Sequence, residues 1–323
     1  MRFNTAISSM GVALAMLTAP FGSAHAAYSQ IVAFGDSLSD NGNVFAATKG
    51  VIGFGVPTAP YWNGRFSNGP VAVEVMAQNL GVSLVNHAYG GALTGNTNRV
   101  GIPGLPGIQT AVDQFTNGLG AAGKTADASA LYFLWGGAND FFSATDKLAA
   151  VAPTIANLTG QVSQLYGAGA RDFFVTLMPD LANTRDAIAA GAGAQAQAHA
   201  LSVAFNTNLS TALWGLQGSL SGATIRVFDP NPTLTAARDE ILAAGGTASE
   251  SCWTGNYTGT DGTLCANPDL HVLWDGVHPT AVLHHALGDA MAAAAVPEPS
   301  TAGLALVGLL IAGLGATRQG RRA

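Results

Sequence analysis

Short apolar runs alternate along the chain with longer segments in which apolar residues recur at helical spacing. A short apolar run between turn residues is typical of a strand buried on both faces, and apolar positions three or four apart indicate a helix. Strands are predicted at residues 31–34, 82–86, 130–135, 173–178 and 225–228. Helices are predicted at residues 70–79, 108–119, 153–166, 187–216, 233–244 and 281–294, and residues 44–60 are predicted to be a substrate-side loop.

The alternation of strands and helices predicts an α/β fold, in which a parallel sheet carries helices on both faces. Hydrophobic residues make up 48% of the chain, which is ample for a buried core. No linker and no internal repeat divides residues 28–295, so we expect one domain there.

Four segments that follow apolar runs are rich in small and polar residues. They are Gly35-Asp36-Ser37-Leu38, Gly90-Gly91, Gly137-Ala138-Asn139-Asp140 and Asp275-Gly276-Val277-His278. Because the carboxyl ends of parallel strands meet at one edge of a sheet, these segments are expected to lie close together. Ser37 would then be a nucleophile on a strand-to-helix turn, although its own segment, taken alone, is better described as a surface turn.

The other segments supply what a serine nucleophile needs. A hydroxyl is a poor nucleophile until a neighbouring base takes its proton. His278 is predicted to be that base, and Asp275, three residues earlier, can hold the other ring nitrogen. Asp180 is the alternative acid, but its position after Pro179 is also that of an ordinary turn residue.

An acyl-transfer site also needs hydrogen-bond donors for the oxyanion that forms on the carbonyl oxygen. We predict the backbone N–H groups of Ser37 and Gly91 and the side-chain amide of Asn139. Gly90 is the alternative to Gly91, because the two are adjacent. Asp140 is expected to hold the turn that presents Asn139.

In their order and spacing, these four segments resemble the GDSL, or SGNH, hydrolase family. The resemblance extends over residues 31–290. Residues 36–43 and 63–70 are most similar to the branch of secreted bacterial lipases, esterases and haemolysin-like phospholipases.

The resemblance implies a three-layer α/β/α, flavodoxin-like fold and a secreted serine hydrolase that cleaves carboxylic esters without a cofactor. The implied substrate is an acyl lipid, an acylated small molecule or an acylated polysaccharide, so phospholipase and carbohydrate acetylesterase specificity both stay open. The implied catalytic residues are Ser37, Asp275 and His278, with Ser37, Gly91 and Asn139 as oxyanion donors.

Other sites are less well supported by the same residues. Residues 35–39 lack the second glycine of the Gly-x-Ser-x-Gly motif of α/β-hydrolases. Aligning Gly42 with the central glycine of a calcium loop places serines where carboxylates are needed. A zinc site would need His271 and His278 with His284 and His285, but adjacent helical residues point apart, so exposure is expected for the pair His284 and His285. No metal site is predicted.

Both ends of the chain resemble targeting segments. Residues 1–26 combine Arg2, an apolar run and Ala24-His25-Ala26, the pattern of a signal peptide. Residues 296–323 combine Val296-Pro297-Glu298-Pro299, an apolar run of about 15 residues and terminal arginines. This tail resembles a PEP-CTERM sorting signal, which implies exosortase processing in a Gram-negative bacterium. It predicts a short transmembrane segment, transient membrane association and export to the exterior or cell surface, with a plain membrane anchor as the alternative.

The two cysteines agree with export. Cys252 and Cys265 lie in a loop rich in glycine, threonine and asparagine, and an oxidising compartment favours a disulfide between them. Closing a loop of this size contributes about 3 kcal/mol in the chain-entropy account.

Two classes of function remain. The formal charge of −6 and a charged fraction of only 10% offer no basic surface for nucleic acid. The first class is the secreted esterase. The second is an exported surface or matrix protein that uses the same fold only for binding.

Overall fold

Five parallel strands form the central sheet. The computed structural model describes residues 28–296, so the predicted signal peptide and nearly all of the predicted tail lie outside the described residues. The strands are β1 (Gln30–Gly35), β2 (Ser83–Asn86), β3 (Leu131–Trp135), β4 (Asp172–Thr176) and β5 (Thr224–Phe228), with β6 (Thr247–Ser251) and β7 (His271–Leu273) in a separate small sheet. Within the central sheet the strands lie in the order β2–β1–β3–β4–β5. The helices are α1 (Asn43–Ile52), α2 (Ala72–Leu80), α3 (Ile108–Ala121), α4 (Ala138–Ser143), α5 (Val151–Ala168), α6 (Arg185–Ala189), α7 (Ala192–Ser219), α8 (Asn231–Ala243) and α9 (Ala281–Ala295).

Helices cover both faces of the sheet because successive side chains of each strand point to opposite sides. On one face, Tyr132 and Leu134 of β3 pack in a core with residues of α3, α5 and α7. On the other face lie α2, α8 and α9, and α9 packs against both α2 and α8. All five residues of β3 are buried, which is why its sequence is an unbroken apolar run. The predicted α/β fold with a parallel sheet and helices on both faces is confirmed.

The segment predicted as a loop at 44–60 begins instead with helix α1. That prediction was wrong because the segment has no clear apolar period, and a contact from outside the segment stabilises its first turn. The carboxylate of Asp40 accepts hydrogen bonds from the backbone N–H groups of Gly42, Asn43 and Val44 at 2.6–3.2 Å. These are N–H groups at the first turn, which have no partner within a helix.

The predicted helix at 187–216 is interrupted. Gly191 has a φ of 87°, a conformation in which glycine is favoured, and it separates α6 from α7. The small parallel sheet of β6 and β7 was not predicted, because β6 has the mainly polar sequence Thr-Ala-Ser-Glu-Ser.

A disulfide joins Cys252 to Cys265 directly after β6, as the sequence predicted. Among residues 28–296, no helix combines the length and the hydropathy needed to cross a bilayer. The apolar run that was predicted to span the membrane belongs to the tail and lies outside those residues.

Candidate active site

Ser37 lies on a tight turn directly after β1. The backbone N–H of Ser39 donates to the carbonyl of Asp36 at 3.1 Å, and the N–H of Leu38 donates to the Asp36 carboxylate at 3.0 Å. A side chain at Gly35 would approach the carbonyl oxygen of Trp135 to 2.6 Å, so only glycine lets β1 and β3 pair this closely before the turn. The turn leaves the Ser37 hydroxyl at the carboxyl edge of the sheet.

His278 connects Ser37 to a buried carboxylate. Its Nε2 lies 2.8 Å from the Ser37 Oγ, and its Nδ1 lies 2.9 Å and 2.8 Å from the two carboxylate oxygens of Asp275. Both His278 and Asp275 are buried, with 5% and 4% exposure. The structure therefore brings the predicted nucleophile, base and acid into one hydrogen-bonded chain.

The loop that carries Asp275 and His278 is held by the small sheet and the disulfide. Beside the disulfide, the N–H of Cys252 donates to Leu273 at 3.0 Å and the N–H of Trp253 donates to Trp274 at 2.6 Å. The loop closes on itself where the N–H of Trp274 donates to the carbonyl of His278 at 2.8 Å. The disulfide thus stabilises the segment that lies beside the loop of Asp275 and His278.

Asp275 is kept ionised although it is buried. Burial by itself would raise the pKa of this carboxyl, but the charge and hydrogen bond of His278 outweigh burial, and the N–H groups of Val277 and His278 add to the effect. The net result is a pKa of Asp275 below its usual value. An ionised Asp275 fixes the imidazole with its proton on Nδ1, so Nε2 faces the Ser37 hydroxyl as an acceptor.

The two adjacent glycines after β2 differ in their hydrogen bonds. The N–H of Gly90 donates to the carboxylate of Asp40 at 2.8 Å, whereas the N–H of Gly91 has no acceptor among the described residues. Gly91 has a φ of 76° and lines the same cavity as Ser37. Of the two, Gly91 is the one whose N–H is available to a ligand.

Asn139 follows β3 at the start of α4 and lines the same cavity. Its Nδ2 donates one hydrogen to the carbonyl of Ala92 at 3.1 Å, which leaves its second N–H available. Asp140 was predicted to hold the turn that presents Asn139. The Asp140 carboxylate accepts hydrogen bonds from the backbone N–H and the hydroxyl of Thr94 at 3.0 and 2.7 Å. These bonds hold the start of α4 against the segment after Gly91.

Two further carboxylates of the site are buried in the turn after β1. Burial raises the pKa of both Asp36 and Asp40 to about 6, although backbone N–H groups that donate to them oppose the effect. Neither carboxylate contacts the Ser37 hydroxyl. Asp36 stabilises the serine turn, and Asp40 joins that turn to Gly90 and to the start of α1.

Tyr61 is a site residue that the sequence analysis missed. Its hydroxyl donates to the Asp275 Oδ2 at 2.8 Å, and the residue is buried at 3% exposure. Phe66, Tyr257 and Trp274 surround its ring, at centroid distances of 5.6–6.4 Å. No periodicity marks Tyr61, because it lies in an irregular segment 214 residues from its partner. The only signal for Tyr61 in the sequence is that it is an aromatic residue within a segment of turn residues.

We expect Tyr61→Phe to move the pH profile of hydrolysis. Burial, and then the neighbouring charge of Asp275, raises the pKa of Tyr61, so the hydroxyl remains a donor at any working pH. Tyr61→Phe removes the hydrogen bond from this hydroxyl to the Asp275 carboxylate, and a hydrogen bond to a charged group contributes about 1.5–3 kcal/mol. The pKa of Asp275 should rise, and activity should therefore be lost at a higher pH on the acid side, with kcat reduced and KM little changed.

The measurement is kcat and kcat/KM from pH 4 to 9. Tyr257→Phe is the matched control, because Tyr257 belongs to the same aromatic cluster but its hydroxyl makes no hydrogen bond to Asp275. If both variants leave the acid limb where it is in the wild type, Tyr61 acts only through packing.

The alternative sites of the sequence analysis are not assembled. His284 was expected to be exposed, and this was wrong: it is fully buried, and its Nδ1 accepts the N–H of Ala72 at 3.2 Å. Burial lowers the pKa of His284 to about 3, so it is a neutral core residue that joins α9 to α2. His285, by contrast, is exposed.

Asp180 is a turn residue. One oxygen accepts the N–H of Ala182 at 3.0 Å, and the other lies 2.7 Å from the Nδ1 of His199. It makes no contact with His278. Among the described residues, a potential metal-ligating cluster is formed only by Cys252, Cys265 and His271, and its two sulfurs are joined in the disulfide.

A cavity of about 930 Å³ opens beside Ser37 and His278. It runs from Gly91 and Asn139 past the ends of β3 and β4 toward α7, α8 and α9. Part of its wall is apolar and is formed by Leu181, Val203, Leu234, Val272, Leu273, Leu283 and Leu287. A cavity of this volume accommodates an organic ligand whose carbonyl lies at Ser37 and whose apolar part lies along this wall.

Two family models match the chain. The GDSL-like lipase/acylhydrolase model matches residues 31–291, and the PEP-CTERM protein-sorting motif matches residues 295–322. The first match contains all four polar segments of the site. The second indicates export and sorting to the cell envelope, with exosortase processing.

Individual relatives are distant but cover most of the chain. A phosphatidylcholine-sterol acyltransferase of Aeromonas hydrophila is 25% identical over 85% of this chain and 92% of its own length. A thermolabile hemolysin of Vibrio parahaemolyticus is 28% identical over 81% of this chain, which spans 62% of the hemolysin. Among solved structures, a lipolytic G-D-S-L protein of Veillonella parvula is similar over 80% of this chain and 94% of its own, with a TM-score of 0.45 and 13% identity.

Proposed function

The chain belongs to the GDSL-like lipase/acylhydrolase family and is an ester hydrolase, and on this premise we propose that it is an exported serine esterase that works through an acyl-enzyme. The residues proposed to carry the reaction are Ser37, His278 and Asp275, with Ser37, Gly91 and Asn139 as oxyanion donors. The observation that carries the proposal is the continuous hydrogen-bonded chain from the Ser37 Oγ through His278 to the buried Asp275.

In the first half-reaction, the Ser37 Oγ attacks the ester carbonyl while His278 Nε2 accepts the hydroxyl proton. The bond that forms is Oγ–C, and the carbonyl oxygen takes the displaced electron pair as an oxyanion. Collapse of this intermediate breaks the bond from carbon to the alcohol oxygen. The protonated His278 returns its proton to the departing alkoxide, and the acyl group stays on Ser37.

In the second half-reaction, water replaces the alcohol. His278 takes a proton from the water, whose oxygen attacks the acyl carbon, and the proton then passes to Ser37 Oγ as the carboxylic acid leaves. Asp275 stays ionised throughout. It stabilises the imidazolium that forms twice in each cycle and holds the ring in the required tautomer.

The assignment of Gly91 rather than Gly90 rests on their hydrogen bonds. Gly90 already donates to Asp40, whereas the N–H of Gly91 has no acceptor within residues 28–296. The N–H of Ser37 also lacks one in that range, and Asn139 has one amide hydrogen to spare. Three donors on three separate elements would then surround one oxygen, which is the arrangement that stabilises a tetrahedral oxyanion.

The tail adds a proposal about location. We propose that residues 1–26 are a signal peptide, that residues 28–295 are the hydrolase domain, and that residues 296–323 hold the protein transiently at the membrane before exosortase processing. The sorting motif at 295–322 supports export, and the disulfide between Cys252 and Cys265 suits an oxidising compartment.

A fluorophosphonate probe tests the enzymatic proposal against the alternative of a binding protein on the same fold. The probe phosphonylates only an activated serine, so we expect wild type to be labelled with one equivalent, whereas Ser37→Ala should not be labelled. Ser39→Ala is the matched control, because Ser39 lies on the same turn but its hydroxyl does not contact His278. Equal labelling of wild type and Ser37→Ala, or labelling of neither, would overturn the assignment of Ser37.

A further inference from the structure

Arg99 lies at the wall of the cavity that contains Ser37. Its backbone N–H donates to the carbonyl of Gly91 at 2.9 Å. The neighbouring Asn98 anchors the same turn, because its side-chain amide donates to the carbonyls of Gly90 and Pro106 at 2.9 and 3.2 Å. The backbone of Arg99 is therefore fixed beside Gly91, the proposed oxyanion donor, independently of the position of the Arg99 side chain.

The guanidinium of Arg99 lies over the ring of Phe142, 5.4 Å from its centroid. Phe142 belongs to α4, the helix that begins beside Asn139. Contact with an aromatic ring uses the flat face of a guanidinium and leaves the N–H groups at its edge available for hydrogen bonds. The cation thus lies between the two elements that carry Gly91 and Asn139.

Arg99 also differs from the other arginines of the described region in its partners. Arg65, Arg226 and Arg238 form ion pairs with carboxylates, and Arg171 donates to backbone carbonyls. Within residues 28–296, Arg99 and Arg185 have no carboxylate within salt-bridge distance and no acceptor for the guanidinium. Of these two, Arg99 alone lines the cavity of Ser37, whereas Arg185 lines a separate polar pocket.

Apart from histidine, the other charged residues that line the cavity are Asp36, Asp180, Asp229 and Arg238, and the guanidinium of Arg238 is already paired with Asp239. Asp36 also lines the cavity, but it is buried in the serine turn, where it accepts the N–H of Leu38. Burial and the charge of Asp275 raise the pKa of Tyr257, and the positive charge of Arg99 opposes this rise. Arg99 therefore acts electrostatically across the cavity, toward the side on which Tyr257 and His278 lie.

We propose that Arg99 binds an anionic group of the ester substrate, so that the preferred substrates carry a phosphate or a carboxylate close to the scissile ester. The inference rests on the proposed function and adds a substrate class to it. A guanidinium presents paired N–H groups whose geometry matches the two oxygens of such an anion. A phosphorylated lipid head group and an acidic sugar share this chemistry.

Paired substrates that differ only in the anion test the inference. The first pair is 1-octanoylglycerol and 1-octanoylglycerol 3-phosphate, and the second is the octanoyl esters of glucose and glucuronic acid. The quantity to measure is the ratio of kcat/KM for the charged ester to that for the neutral ester. Comparing the two pairs shows which source of the anion is preferred.

In Arg99→Gln we expect this ratio to fall about tenfold in at least one pair, the lower end of what a hydrogen bond to a charged group contributes. The kcat/KM for the neutral esters should stay within about twofold of wild type. Arg99→Lys should restore part of the ratio, because it keeps the charge without the paired donors. Since the residue is exposed, 0.5 M NaCl should reduce the ratio in wild type and not in Arg99→Gln.

Arg185→Gln is the matched control: it makes the same change at the other unpaired arginine, and its ratio should equal that of wild type. An unchanged ratio in Arg99→Gln in both pairs would overturn the inference. Equal loss on charged and neutral esters would also overturn it, because Arg99 would then act on the oxyanion or on folding.

Binding of octyl phosphate, measured by calorimetry, separates this inference from the proposed function. Octyl phosphate contains no carboxylic ester and needs no catalysis. Weaker binding to Arg99→Gln than to wild type, in a protein that hydrolyses none of the four esters, would retain the anion site and remove the esterase. If wild type hydrolyses all four esters, and octyl phosphate binds equally to wild type and Arg99→Gln, the esterase is retained and the anion site is removed.

Discussion

Asp275→Asn is expected to lower kcat for ester hydrolysis about 10⁴-fold, the loss typical of a triad whose acid can no longer fix the tautomer. The side-chain amide of asparagine can donate a hydrogen to His278 Nδ1, which favours the proton on Nε2. Nε2 could then no longer accept the proton of Ser37. The buried carboxylate also provides the negative charge that stabilises the imidazolium, and asparagine has none.

The control is Asp180→Asn, because Asp180 follows another strand of the same sheet and was the alternative acid. Its carboxylate contacts Ala182 and His199 and does not contact His278. We expect kcat of this variant to stay within about threefold of wild type. A larger loss in Asp180→Asn than in Asp275→Asn would reassign the acid. Circular dichroism and thermal unfolding of both variants verify that each is folded.

Asn139→Ala is expected to lower kcat by 10²- to 10³-fold, which corresponds to about 2.7–4 kcal/mol of transition-state stabilisation. The reason is that its spare amide hydrogen is proposed to meet the oxyanion, a charge that exists only after Ser37 has attacked. KM should change little, because the carbonyl oxygen of the bound substrate carries only a partial charge. Steady-state kinetics on a soluble short-chain ester would measure both parameters.

Asn157→Ala provides the comparison for Asn139→Ala. Asn157 is also a partly buried asparagine, and its amide donates to the Thr94 hydroxyl at 3.0 Å, but it does not line the cavity. Thr94 in turn bonds Asp140, so the control also perturbs the network that supports α4. If Asn157→Ala reduces kcat as much as Asn139→Ala does, the loss reflects movement of α4 and not a missing oxyanion donor.

The proposed mechanism uses backbone groups of some residues and side chains of others, and the structure positions the two kinds of group in different ways. Ser37 and Gly91 use backbone N–H groups, whose direction is set by φ and ψ at a tight turn and at a glycine with positive φ. Asp275 and His278 use side chains on one loop, are separated by only two residues, and are held by hydrogen bonds of the loop's own backbone. The small sheet and the disulfide hold this loop against the edge of the main sheet, which explains the location of the only two cysteines.

Much of the fold could be predicted from local pattern. The unbroken apolar run of β3 indicated a strand buried on both faces, and Pro70 and Gly81 marked the limits of a helix that the structure has at Ala72–Leu80. These signals are local, because a strand that is buried on both faces is apolar at every position and a helix ends where its chain conformation must change. Helix α1 was missed because its residues have no clear apolar period, and the Asp40 carboxylate stabilises its first turn.

The sequence by itself determined the chemical groups of the candidate site and the order in which the segments that carry them follow one another along the chain. Ser37 and Asn139 follow β1 and β3 of the main sheet, whose parallel strands bring such segments to one edge as predicted, whereas Asp275 and His278 follow β7, which belongs to the separate small sheet. The tertiary structure alone decided the contacts across that edge. It gave the N–H of Gly90 an acceptor in Asp40, placed Tyr61 against Asp275, and buried His284 between two helices. These contacts join residues about 50 to more than 200 positions apart, and periodicity reports only the environment of a segment, not which distant side chain will meet it.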